Sequence, residues 1–105
     1  MTSHLPDVYL DFRAAHPAVA DALGGLAQAV DEAGPLEPKT ERLIKLGMAV
    51  VAQSQGAVRS NVRKALDAGA ARAEIEQTIL LALTTAGFPT VVAGWQWAHD
   101  VLEEQ

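Results

Sequence analysis

Gln53, Ser54, Gln55 and Gly56 form a polar cluster directly after the apolar stretch Leu43 to Ala52. A buried helix that ends there hands the chain to the next helix through hydrogen-bonding side chains, which is a good place for a pocket. Ser54 and Gln53 can serve chemistry there, or can satisfy the last carbonyls of the helix that precedes them. Asn61 lies seven residues beyond Ser54 inside a helical pattern. Asparagine is a poor helix former, so a packing or polar reason is expected for its place. The Arg42 guanidinium has the planar fork that grips a carboxylate bidentately, although it equally suits a pairing with Glu41, Glu37 or Asp31, or a stem that snorkels to solvent. His99 is either a proton shuttle or a cation favoured by the C-terminal half of its helix. His4 and His16 fall in loop stretches without clustered carboxylates, so no metal site is expected. The chain has no cysteine, which removes disulfides, thiolate metal sites and thiol catalysis together.

These residues need helices to position them. Val8, Tyr9 and Phe12 predict a short helix over Asp7 to Ala15, broken at His16-Pro17. Ala18 to Ala33 carries one apolar face, Val19, Leu23, Leu26, Ala27 and Val30, with Gly24-Gly25 expected to weaken or bend it. Gly34-Pro35 stops it, and Pro38 opens the central helix, whose Leu43 to Ala52 segment is too apolar for one wet face. Ala57 to Ala68 follows, with Val58, Val62, Ala65 and Leu66 inward, Arg59, Arg63 and Lys64 on a solvated face, and Gly69 as C-cap. Arg72 to Ala86 reads as a second helix apolar nearly all round at Ile79 to Leu83, ended by Gly87-Phe88-Pro89. Thr90 to Glu104 is the last helix, with Trp95 and Trp97 on different faces. Gly47 and Gly94, both inside helices, point to close backbone crossings.

Half the residues are hydrophobic but only 5% are aromatic, and Ala, Leu and Val dominate. That composition favours close-packed helices over sheets, so the expectation is an all-α fold of about six helices in a single domain over residues 1–105. Two helices apolar all round are more than such a domain covers alone, so a homo-oligomer is expected. A net charge of −5 without a basic run argues against nucleic acid and against an anionic membrane surface. No run approaches the roughly 20 apolar residues of a spanning helix, and the first residues lack a leader pattern. A cytoplasmic protein is expected.

Three blocks of the chain, LEPKTERLIKLGMAVVAQ, NVRKALDAGAARAEIEQTILLAL and GFPTVVAGWQWAHDVLEE, resemble the carboxymuconolactone decarboxylase and alkylhydroperoxidase-D-like family from Leu36 to the end. The redox branch of that family carries C-x-x-C-x-x-x-H at the helix junction with a glutamate about three turns upstream. The corresponding positions here are Ser54, Ala57, Asn61 and Arg42, so peroxidase chemistry by that route is excluded.

The decarboxylase branch works without cysteine or cofactor and is the nearer relative by chemistry. The resemblance implies Arg42 and Gln53 with Gln96 in substrate binding, Ser54 and Asn61 polarising a carbonyl, and His99 moving a proton. That branch has histidine at the positions of Asn61 and Gln96, and His99 stands one turn beyond Gln96. The implied activity is decarboxylation of a small acidic ring compound with no cofactor, and the implied assembly is a trimer or hexamer. The alternative is a ligand-binding or assembly protein that keeps the fold without the chemistry.

Overall fold

The computed structural model describes residues 7–104, and His4 and Pro6 lie outside them. All regular structure among the described residues is helical: α1 (Asp7–Ala15), α2 (Pro17–Glu32), α3 (Pro38–Val51), α4 (Gln55–Asp67), α5 (Arg72–Leu81), α6 (Leu83–Ala86) and α7 (Phe88–Leu102). They form two compact units, one ending at Glu37 and the other starting at Pro38.

In the first unit, Pro17 takes the opening position of α2, where its missing N–H costs nothing. The Arg13 guanidinium donates to Asp21 at 2.7 Å and ties α1 to α2. Helix α2 runs unbroken through Gly24 and Gly25, and space is open where their side chains would be. Its apolar stripe, Val19, Leu23, Leu26 and Val30, is more than half exposed.

The second unit holds the main core. Leu46 and Val50 of α3, Val58 and Val62 of α4, Ile75 and Ile79 of α5 and Val101 of α7 are fully buried. Each such side chain contributes about 1.5–3 kcal/mol by leaving water. Helix α4 ends in a Schellman motif: Gly69 adopts φ +96°, its N–H donates to Leu66 O at 3.0 Å, and the Ala70 N–H donates to Ala65 O at 2.9 Å.

One expected helix is divided. The 72–86 segment splits at Ala82, where the ladder tightens: the Ala82 N–H donates to Ile79 O, and the Thr85 N–H to Ala82 O. The two helices apolar nearly all round are, as expected, not covered by one chain. Met48 on α3 is 65% exposed and Leu81 on α5 64%, because within one chain the neighbouring helices cover only the inner flank of each. Of the α4 residues expected to be solvated, Lys64 is exposed, whereas Arg59 and Arg63 reach α7 and the residues that follow it. Arg59 pairs with Asp100 of α7 at 2.9 Å and Arg63 with Glu104, just past the end of α7, at 3.6 Å, two rungs four residues apart on each side. Among the described residues no helix is long and apolar enough to cross a membrane.

Candidate functional site

The α3–α4 junction turns on Gln53. It has φ +56°, the left-handed region that favours glycine, and it stands at the residue after the C-cap of a second Schellman motif. The Ser54 N–H donates to Ala49 O at 3.0 Å, and the Gln53 N–H to Val50 O at 3.1 Å. The Gln53 side chain holds the turn closed: Nε2 donates to Val50 O at 2.8 Å and to Thr90 O at 3.0 Å, reaching the first turn of α7. Its amide donors are thus spent on the fold, leaving the amide oxygen for any ligand.

The turn leaves Ser54 as the N-cap of α4 with extended backbone, yet its Oγ makes no capping hydrogen bond. The first-turn N–H groups of α4 have no acceptor within the helix, so the junction presents a hydroxyl and backbone donors at the positive end of a helix dipole. Asn61 lies seven residues on, within about 20° of Ser54 around the helix. It is half-buried, and its Nδ2 donates to Ala57 O at 2.9 Å, which is the polar reason for an asparagine at this place.

The remaining candidates are placed elsewhere. Arg59 and Arg63, which reach α7, lie about 160–200° around α4 from Asn61, so Asn61 faces away from the flank that packs on α7. His99 on α7 is engaged with α5. Its Nδ1 donates to Trp95 O at 2.8 Å, Nε2 lies 2.8 Å from Glu76 Oε2, and its ring stacks at 4.4 Å on Trp95. A carbonyl and a carboxylate are both acceptors, so both ring nitrogens of His99 are engaged within the protein. Gln96 is exposed on α7, and Arg42 is half-buried on α3. Ser54 and Asn61 therefore share a face, with Gln53 beside them, whereas His99 is held on another side.

A groove of about 430 Å³ opens between α3 and α5–α6, and none of those six residues lines it. At one end Lys39 of α3 stands 3.1 Å from Glu74 of α5. Glu74 also accepts the Ala71 N–H at 2.8 Å, half of a capping box. That bond first, and Lys39 second, hold the Glu74 carboxyl below the usual glutamate range. Thr78 sits midway, its hydroxyl donating to Glu74 O, and Leu43, Gly47, Val51 and Leu81 make the walls apolar. The sequence reading missed this place. Its signals were a cation in the first turn of α3 and an acid in the first turn of α5, but their adjacency arises only from packing α3 on α5. Among the described residues, no group of three or more His, Asp or Glu side chains is placed to hold a metal ion.

Fold and junction together define a small all-helical protein whose α3–α4 turn brings a serine hydroxyl and an asparagine amide onto one face of α4. The chain belongs to the carboxymuconolactone decarboxylase family, whose model matches residues 17–100. The match begins at α2, about twenty residues before the sequence resemblance. The structure is similar to that of an apo carboxymuconolactone decarboxylase family protein from Legionella pneumophila, with a TM-score of 0.79 and 26% identity over 90% of this chain and 84% of that one. No curated protein sequence matches this chain.

Proposed function

We propose that this protein acts on a small acidic ring compound at the α3–α4 junction, without cofactor or thiol, as a decarboxylase-type lyase. The observation that carries this reading is Gln53. A non-glycine residue in the left-handed region costs on the order of 1 kcal/mol or more, and such strain concentrates where a site needs it. Here it delivers Ser54 to the start of α4 with its hydroxyl unused for capping. Losing CO2 from a lactone acid leaves an electron pair that delocalises into the ring carbonyl, so donors are needed at that oxygen and an acid at carbon. Ser54, the first-turn N–H groups of α4 and the second amide proton of Asn61 are the donors. Arg42 is assigned the substrate carboxylate, with Gln53 and Gln96 as further contacts; His99, held toward α5 by Trp95 and Glu76, is assigned no step at the junction, and the carbon takes its proton from water.

The test is CO2 release from γ-carboxymuconolactone and related lactone and keto acids. Turnover that falls about 10²- to 10³-fold in Ser54→Ala and Asn61→Ala, the scale of a lost oxyanion donor, supports the reading. Turnover unchanged in both variants and in Arg42→Ala sinks it.

The second reading is a ligand-binding or assembly protein that retains the family fold. It is favoured by His99, whose ring nitrogens are both engaged away from Asn61. Absence of turnover on every acid tried, with binding retained, would select it. Under either reading we propose a homo-oligomer, a trimer or hexamer, supported by the exposed apolar flanks at Met48, Leu80, Leu81 and Phe88. A monomeric mass by light scattering would overturn that part.

A further inference from the structure

The groove between α3 and α5 is a place apart from the junction, and its chemistry points to a ligand of its own. We infer that it binds a small monocarboxylate with an apolar body, the carboxylate at Lys39 and the body along Leu43, Gly47, Val51 and Leu81. This inference does not depend on turnover at the junction.

The volume, about 430 Å³, is that of an ordinary small-molecule site. Its lining is graded: an ion pair at one end, a threonine midway, aliphatic walls beyond. Gly47 keeps the middle open, since it contributes no side chain to a face where Leu43 and Val51 do. A Cβ there would lie 3.7 Å from the Thr78 methyl, so the threonine turns carbon inward while its hydroxyl is spent on Glu74 O.

The polar end is donor-rich despite Glu74. A lysine ammonium has three N–H donors, and Glu74 occupies one direction only. Lys39 and Thr40 also stand in the first turn of α3, just after Pro38, where backbone N–H groups lack helical acceptors and the dipole is positive. Glu74 is the opposing charge. It is turned toward the start of its own helix, with Oε1 accepting the Ala71 N–H, so its charge is satisfied within the protein while Lys39 keeps donors to give. Acceptor oxygens on a carboxylate match that set, and an aliphatic or ring body matches the walls.

The experiment titrates the full chain with octanoate, octanol and octylamine by calorimetry and locates each ligand by amide chemical shifts. Octanoate is expected to bind about tenfold or more tighter than octanol, the size of one charge-assisted hydrogen bond, with shifts at Gly47 and Thr78. Lys39→Met should bring octanoate down to the level of octanol without weakening octanol. Gly47→Leu should abolish both, and the shift map serves if that variant does not fold. Octylamine binding as tightly as octanoate makes Glu74 the recognising group and overturns the proposal. So does the absence of binding by all three, as a second copy covering the groove would produce. Shifts confined to Ser54 and Asn61 place the acid at the junction and overturn this inference while leaving the junction reading intact.

Discussion

A side chain built on Gly94 would place its Cβ 2.8 Å from Val50 Cγ1 and 2.9 Å from Cγ2, so α7 crosses α3 with only a hydrogen to spare. Val50 is fully buried and cannot swing aside. Gly94→Ala therefore sets an overpacking cost of about 1–3 kcal/mol against a helix-propensity gain of about 1 kcal/mol. The expected outcome is a lower urea midpoint at unchanged slope. Gly47→Ala carries the same propensity gain and meets only ordinary contact with Thr78 at 3.7 Å. It should add about 0.4–1 kcal/mol of stability, read as a higher urea midpoint.

Gln53 combines a strained backbone with two side-chain hydrogen bonds, and two substitutions separate them. Gln53→Ala loses the bonds and keeps the strain, whereas Gln53→Gly loses the bonds and relieves it. Alanine should be the more destabilising of the pair by about 1 kcal/mol. Equal midpoints for the two variants in urea would show that the left-handed conformation carries no cost here.

Glu76 and His99 join α5 to α7 across 2.8 Å, with neither side chain more than a third exposed. Glu76→Ala leaves the Nε2 of His99 without its acceptor and should cost about 1 kcal/mol. A double-mutant cycle with His99→Ala should return a coupling of at least about 0.5 kcal/mol. A coupling of zero would show that the pair is merely adjacent.

Glu74 makes the groove end sensitive to acid. Its carboxyl is held below the usual range by the Ala71 N–H first and Lys39 second. The folded value thus lies below the unfolded one, so its stabilisation is complete above the ordinary glutamate value of about 4.3 and is lost as pH falls through the folded value. The gap in melting temperature between the native chain and Glu74→Gln should be widest near neutrality and should close in acid. A gap that stays constant across that window would refute the linkage.

Much of the helical plan was readable because it rests on local rules. Pro38 at a helix start, His16-Pro17 as the break after α1, Gly69 and Gly87 after helix ends, and the 3.6-residue spacing of Val58, Val62 and Ala65 need no knowledge of partners. The break at Ala82 was not readable, since Arg72 to Ala86 contains neither glycine nor proline and its apolar run fits one helix as well as two. At the junction, the polar cluster and the odd asparagine marked Ser54 and Asn61. Their common face follows from helical spacing, but the engagement of His99 with Glu76 joins residues 23 apart and has no local signature.

By itself the sequence determined the helical plan apart from the break at Ala82, the thiol-free character of the junction and the family, because caps, periodicity and residue identity are local quantities. It named Gly47 and Gly94 as equivalent signs of close crossing. Only the tertiary structure separated them, since the room beside a glycine depends on what a distant helix presents: Val50 against Gly94, and the edge of an open groove against Gly47. The same reason applies to Lys39 and Glu74. Their charges were visible in the chain, but the groove between them exists because α3 packs on α5.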